Sequence, residues 1–157
     1  MKIKFFFILL LGLLTANCGY KVINQSELIN FFITDLESSG DSRVNYKIKN
    51  KLLVYGNEKD GLKPIKINLN SNKTKTIKEK NIKNEVTKYW ITINVNVEVR
   101  DTDNATIANF SVNHRGDYNV GSQYFKTLNS EKRLIELLSE KLKNKIIASL
   151  INELNDL

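Results

Sequence analysis

Alternating apolar and polar residues mark the clearest strand in the chain, at positions 91–100, where five apolar side chains alternate with five polar ones. Successive side chains of a strand point to opposite faces, so this segment predicts a strand with one apolar face. Positions 65–70 alternate in the same way. A further strand is predicted over 106–118, with a bulge between Ile107 and Phe110 where the alternation breaks. The pattern is typical of an antiparallel sheet that is covered on one side only.

A short amphipathic helix is predicted from Ser42 to Tyr55, because apolar residues recur there at spacings of four, four and three. Asp41 or Ser42 can cap the start of this helix, and Gly56-Asn57 can end it. The residues of its apolar face are Val44, Ile48, Leu52 and Tyr55.

A long helix is predicted at the C-terminal end of the chain, with Ser130 as its N-cap. Its first apolar stripe suits packing on the sheet and consists of Leu134, Ile135, Leu138, Leu142 and Ile146. A second apolar face follows, formed by Ile147, Ile151 and Leu154. Two interpretations of this second face stay open: burial on two sides, against the sheet and the shorter helix, or a contact surface for a partner protein.

The segment 28–36 is ambiguous between helix and strand. Its apolar residues recur every four positions, as on a helix, whereas the packed run Phe31–Thr34 favours a strand. We predict a strand that ends before the turn-rich Ser38–Gly40. The element order is then β-α-β-β-β-α, and the predicted fold class is α+β, with two helices packed on one face of a mainly antiparallel four-stranded sheet.

The first 18 residues, MKIKFFFILLLGLLTANC, have the layout of a bacterial lipoprotein export signal. Two lysines precede an apolar run too short to span a bilayer, and the only cysteine of the chain follows. We predict a signal peptide over 1–17 and lipidation of Cys18. Asn17 departs from the small residue usual before such a cysteine, so an uncleaved anchor or an unmodified secreted protein remains the alternative. Gly19 is compatible with sorting to the outer membrane.

Residues 18–157 are predicted to form a single periplasmic α+β domain tethered by lipid at Cys18. About 140 residues are enough for one domain with a single core. The segment contains no second apolar run of the length that a spanning helix needs. Attachment to the membrane therefore has to come from the lipid.

The residue inventory argues against catalysis and against a metal centre. The chain has one histidine, His114, and its single cysteine is the predicted lipidation site. A nucleophilic triad would have to be built around His114, and no nucleophile-elbow glycine pattern is present to position a serine for it. A zinc site would need more histidine or cysteine ligands. No phosphate-binding glycine motif occurs among the seven glycines. We therefore predict a protein that is not an enzyme and that uses no cofactor or metal.

One basic cluster stands out from a chain whose formal net charge is +7. The general abundance of Lys, Asn and Ile is what an AT-rich coding bias produces, but the segment 72–88 contains six lysines against two glutamates. Export to the periplasm argues against nucleic acid as the partner, although a basic patch would otherwise suggest it. The available anions there are phosphorylated glycolipids, phospholipid headgroups and acidic protein surfaces.

Part of this cluster forms a predicted ligand site for lipid phosphates. If the strand at 65–70 continues, its next two lysines inherit the apolar face, so they project past the core or the strand kinks at Ser71-Asn72. Either outcome places them at a rim where charge-assisted hydrogen bonds can form. The alternative is a solvated basic hairpin or loop. The residues of the predicted site are Lys73, Lys75, Lys78 and Lys80.

Three short motifs are similar to those of a known family. They are the opening Cys18-Gly19-Tyr20, the pair Asn50 and Leu52 in the first helix, and the stretch from Asp117 through Tyr124 ahead of the last helix. The chain thereby resembles the LptE family of lipopolysaccharide-assembly lipoproteins. In that family the three motifs correspond to a Cys-Gly-aromatic start, an Asn-x-Leu and a strand-to-helix corner.

The resemblance implies a small outer-membrane lipoprotein that sits as a plug inside the β-barrel protein LptD, helps that barrel to assemble, and assists the transport of lipopolysaccharide to the cell surface. It also implies that basic residues at one end of the sheet bind lipopolysaccharide, although no motif assigns those residues here. The alternative is a structural or accessory lipoprotein of another cell-envelope complex without a lipid ligand.

Overall fold

The computed structural model describes residues 30–55 and 62–155. In these ranges the element order is β1-α1-β2-β3-β4-α2, which confirms the predicted order and the α+β class. The strands are β1 (Phe31–Gly40), β2 (Lys63–Lys80), β3 (Val86–Arg100) and β4 (Thr106–Asn119). The helices are α1 (Ser42–Leu52), which a 3-10 turn follows (Leu53–Tyr55), and α2 (Tyr124–Asn155).

The four strands form one sheet in the order β1-β2-β3-β4. β1 runs parallel to β2, and the other two pairs are antiparallel, so the sheet is mainly antiparallel as predicted. β1 stops opposite Ser71, whereas β2 continues for nine further residues to Lys80. The β2–β3 hairpin therefore extends beyond β1, and one end of the sheet consists of β2, β3 and β4 alone.

The core lies between one face of the sheet and the two helices. Every apolar residue of the alternating segment 91–99 in β3 is fully buried, which is the pattern expected of a sheet covered on one side. The first apolar stripe of α2 is also buried. Gly116 on β4 lets α2 approach closely, because a Cβ there would lie 2.7 Å from the Leu134 Cδ1 atom.

Helix α1 begins as the sequence predicted. The Asp41 carboxylate accepts a hydrogen bond from the Val44 N–H at 3.0 Å, which satisfies one of the free donors of the first turn. Val44, Ile48 and Leu52 are fully buried on one face. The predicted continuation lies partly outside the described residues, since the Tyr55 side chain and Gly56-Asn57 are not among them.

The strand interpretation of the ambiguous segment is confirmed from Phe31 onward, whereas residues 28 and 29 lie outside the described ranges. The predicted turn at Ser38–Gly40 is wrong, because β1 runs through it. Gly40 makes this possible: its φ is +94°, and a Cβ at this position would lie 1.9 Å from the Ser71 carbonyl oxygen. Only glycine tolerates both conditions.

The start of one helix and the position of one strand irregularity differ from the prediction. Helix α2 begins at Tyr124, so Ser130 lies inside the helix and is not its N-cap. The irregularity in β4 falls at Ile107, since Arg100 faces Thr106 and Val99 faces Ala108. It therefore precedes the predicted segment between Ile107 and Phe110, and the alternation from Ala108 onward is regular. Within the described part of the chain, no helix combines the length and apolar character needed to cross a membrane.

Candidate functional site

The predicted ligand lysines lie on the part of β2 that extends beyond β1. The strand does not kink at Ser71-Asn72, so the first of the two predicted outcomes holds and the lysines pass the end of the core. Ser71 is the last buried residue of β2. Lys73 and Lys75 follow on the same face, opposite Ile93 and Ile91 of β3. They therefore lie beside the helix layer and not in a free loop.

Lys73 is paired with the carboxylate that caps α1. Its Nζ lies 3.0 Å from the Asp41 Oδ2 atom, while the other oxygen of this carboxylate accepts the Val44 N–H. Burial opposes ionisation of Asp41, but the Val44 N–H and Lys73 outweigh it, and the pKa of Asp41 is lower than usual. The same carboxylate thus fixes the start of α1 and neutralises Lys73.

Lys75 forms the centre of a network that joins three elements. Its Nζ lies 2.7 Å from the Glu131 Oε2 atom of α2, and the same oxygen accepts a hydrogen bond from the Tyr118 hydroxyl at 2.7 Å. The Lys75 Nζ also lies 4.3 Å from the centre of the Tyr89 ring, which stacks on Tyr118 at 5.8 Å. Both rings present their π-electrons to the cation.

The pKa shifts of this network favour its charged form. Desolvation works against ionisation of Glu131, but hydrogen bonds from Lys75 and Tyr118 lower its pKa. Desolvation likewise disfavours the charge on Lys75, yet the bonds to Glu131 and Tyr118 raise its pKa. Burial raises the pKa of the Tyr118 hydroxyl, which therefore stays protonated. At neutral pH, Lys75 and Glu131 form an ion pair that a neutral Tyr118 supports.

The other two lysines make contacts of their own. The Lys78 Nζ lies 3.0 Å from the Asp117 Oδ1 atom and 4.1 Å from the centre of the Trp90 ring, and Arg115 lies at the same distance from that ring. Trp90 precedes Ile91, so by strand alternation its side chain points away from the helices. The Lys80 Nζ donates to the Asn84 Oδ1 atom at 2.8 Å within the hairpin turn.

The structure therefore brings two of the predicted lysines together on the helix side, and it gives three of the four a carboxylate partner. An anionic ligand at Lys73, Lys75 or Lys78 would have to compete with the carboxylate already bonded there. The pairs of Lys73 with Asp41 and of Lys75 with Glu131 also join β2 to α1 and α2. The role of the four lysines in binding a lipid phosphate stays a prediction.

The second apolar face of α2 lies in the core. Ile147, Ile151 and Leu154 are 1%, 6% and 3% exposed, and they belong to the same hydrophobic cluster as the inner face of the sheet. Of the two interpretations left open, the structure shows burial, and these side chains present no surface to a partner in this fold. The predicted lipidation site Cys18 lies outside the described residues.

An exposed apolar corner was missed in the sequence. Tyr124 and Phe125, in the first turn of α2, are 78% and 56% exposed, and Val120 and Leu128 beside them are also exposed. The Val120 N–H donates to the Thr87 carbonyl at 2.8 Å, which places this corner at the hairpin end of the sheet. The signal was present in the sequence as a helical spacing of aromatic and aliphatic residues ahead of Ser130. We call these four residues the apolar corner.

The single histidine, His114, lies on β4 near two lysines of α2. Burial, with Lys141 and Lys145 nearby, lowers the pKa of His114, and its Nδ1 atom accepts the Arg115 N–H at 3.2 Å. Among residues 30–55 and 62–155, no three His, Cys, Asp or Glu side chains are grouped so that they could hold a metal ion.

A four-stranded sheet with two helices on one face is also the fold of several bacterial lipoproteins. A candidate lipoprotein from Caulobacter crescentus superposes with a TM-score of 0.61 at 15% sequence identity, over 84% of this chain and 95% of that chain. Rare lipoprotein B from Shewanella oneidensis gives a TM-score of 0.58 at 13% identity, over 77% and 97%.

A minor lipoprotein from Acinetobacter baumannii gives a TM-score of 0.56 at 11% identity, over 79% of this chain and 92% of that chain. At these identities the similarity shows a common fold. No model of a known protein family matches the sequence, and no curated protein matches it.

Proposed function

We propose that this chain is a lipid-anchored lipoprotein of the outer membrane that partners an LptD-type β-barrel and assists the assembly and transport of lipopolysaccharide. The observation that carries the proposal is the fold, which three proteins described as lipoproteins share over about four fifths of this chain. The leader that precedes Cys18 supports the same class, because it has the layout of a lipoprotein signal.

The proposed role is non-catalytic and uses neither a cofactor nor nucleic acid. Support comes from the polar groups of the hairpin end, which are engaged in structural contacts. Lys75, Glu131 and Tyr118 form a closed network, and Asp41 is shared between a helix cap and Lys73. Catalytic groups would instead be positioned toward a substrate.

The apolar corner supports the partner part of the proposal. A contiguous group of exposed apolar side chains marks an interaction site more often than single exposed apolar residues do. Here Tyr124 and Phe125 extend into solvent from the first turn of a helix whose later turns bury an apolar face against the sheet. We propose that the apolar corner contacts the partner protein.

A second candidate function is that of an accessory lipoprotein in another envelope complex, without a lipid ligand. The observation that favours it is the pairing of Lys73, Lys75 and Lys78 with carboxylates, which leaves less positive charge for lipid phosphates than the sequence suggested. The fold and the leader serve both candidates equally.

Affinity purification of the full-length protein from detergent-solubilised outer membranes tests the proposal. We expect a β-barrel protein to co-purify with the wild type and to be lost from the variant Phe125→Asp. Val54→Asp is the matched control, because Val54 is also exposed but lies in the 3-10 turn after α1. Absence of any barrel would contradict the proposal. A barrel that co-purifies with a protein unable to bind lipopolysaccharide would favour the second candidate.

A further inference from the structure

A shallow groove runs between α1 and the first half of α2, with a volume of about 390 Å³. Most of its accessible lining is carbon, contributed by the stems of long side chains. The groove lies on the helix side of the molecule and includes none of the four sheet lysines. Its lining residues are Arg43, Lys47, Lys132, Arg133 and Glu136.

The charges of this groove are unbalanced. Four cations face one carboxylate, and that carboxylate is already used: Glu136 forms an ion pair with Lys47 and lies 3.8 Å from the Lys51 Nζ atom. The other three cations, Arg43, Lys132 and Arg133, make no ion pair or hydrogen bond through their side chains within residues 30–55 and 62–155. They contrast with Lys73, Lys75 and Lys78, each of which has a carboxylate partner.

The position of Arg43 adds to this imbalance. It lies in the first turn of α1, where the helix dipole is positive, and no acidic residue occupies that turn. The nearest capping carboxylate, Asp41, is engaged by the Val44 N–H and by Lys73. A cation at a helix N-terminus beside other unpaired cations is unfavourable, and a bound anion would relieve the repulsion.

The guanidinium groups and the carbon lining of the groove indicate which class of anion it binds. A guanidinium group binds a phosphate through two parallel hydrogen bonds, and two such groups line the groove. The carbon lining suits the hydrocarbon that adjoins the phosphate of a lipid, whereas a free inorganic ion would leave it in water. We infer that this groove binds the phosphate group of a lipid, with Arg43 and Arg133 as the main ligands and Lys132 as a supporting charge.

This inference goes beyond the proposed function and does not depend on it. The groove is separate from the sheet lysines and from the apolar corner, so a phosphate site could exist whether or not a barrel partner is found. If the groove does not bind a lipid phosphate, the expected co-purification of a barrel protein is unaffected. The two proposals therefore fail in different experiments.

The test is isothermal titration calorimetry with the full-length protein in a non-ionic detergent, which measures the affinity for each probe. The probe is dihexanoyl phosphatidic acid, and dihexanoylglycerol and inorganic phosphate are titrated in parallel. We expect the variant R43Q/R133Q to bind the phosphatidic acid about tenfold more weakly or worse, since charge-assisted hydrogen bonds are lost. The control K63Q/K126Q removes the same formal charge from two other exposed positions and should bind as the wild type does. Partition of the probe into micelles is the same for all variants.

Three results would overturn the inference. The first is unchanged affinity in R43Q/R133Q, and the second is an equal loss in K63Q/K126Q, which would indicate only a general charge effect. The third is inorganic phosphate or dihexanoylglycerol binding as tightly as the phosphatidic acid, which would assign the groove to a free anion or to hydrocarbon alone. All substituted side chains are exposed, so circular dichroism spectra should match that of the wild type.

Discussion

The ion pair between Lys75 and Glu131 should stabilise the attachment of α2 to the hairpin end of the sheet, and a double-mutant cycle measures this directly. Lys75→Met removes the charge but keeps a flexible side chain that can lie against Tyr89. Glu131→Gln removes the negative charge but keeps an oxygen that can accept the Tyr118 hydroxyl. Each substitution breaks the same 2.7 Å ion pair, and Lys75→Met also removes the cation–π contacts with Tyr89 and Tyr118, which the double-mutant cycle separates from the coupling to Glu131.

The expected size of the effect follows from the exposure of the two side chains. Fully exposed ion pairs contribute roughly 0.2–1 kcal/mol, and hydrogen bonds to buried charged groups contribute about 1.5–3 kcal/mol. The Glu131 side chain is 17% exposed and that of Lys75 is 38% exposed, so the pair lies between these cases. We expect a coupling energy of about 1 kcal/mol, with each single variant destabilised by about 1–1.5 kcal/mol.

Urea unfolding followed by fluorescence provides the assay, because the chain has a single tryptophan and this residue lies on β3 near the network. The ion pair between Lys88 and Glu79, at 2.9 Å in the hairpin, is the matched control. Its two side chains are both about a third exposed or more, so its coupling should stay below about 0.5 kcal/mol. Equal coupling in the two cycles, or none at Lys75, would refute the structural role assigned to Glu131.

Three further outcomes concern stability. Gly40→Ala should lower the free energy of unfolding by more than about 2 kcal/mol, through positive φ and a backbone clash, and thermal unfolding measures this. Leu142→Ala should lower the free energy of unfolding, measured by urea titration, by about 2–5 kcal/mol, because Leu142 is fully buried. Leu137→Ala should leave it almost unchanged, because Leu137 is half exposed. The low pKa values of Asp41 and Glu131 give stability that is complete above the ordinary carboxyl pKa, about 4, and is lost as pH falls through the folded-state value. When the free energy of unfolding is measured at decreasing pH, it should fall less in Glu131→Gln than in the wild type.

Local patterns were enough to predict most of the fold. The alternation at 91–99 specifies which face of β3 is buried without any knowledge of its neighbours, and the four-residue spacing of Val44, Ile48 and Leu52 does the same for α1. Asp41 was one of two cap candidates in the sequence, because the hydrogen bond that a cap accepts comes from a residue only two or three positions away. In each case the sequence pattern and the structure that it predicts lie within one helix or strand.

The errors arose where distant residues decide the outcome. Gly40 continues β1 because of Ser71, a contact that spacing along the chain does not reveal. Lys75 looked like a free cation in sequence, yet its partner Glu131 is 56 residues away and reaches it only after the helix packs on the sheet. The groove at Arg43 was missed for the same reason, since its cations come from two helices.

We propose that the chain is a lipoprotein held at the membrane through Cys18, and the intact mass of the protein extracted from membranes tests this most directly. The predicted result is a chain that begins at Cys18 and carries the added mass of its acyl groups. A chain that retains residues 1–17 and has an unmodified thiol at Cys18 would contradict the claim.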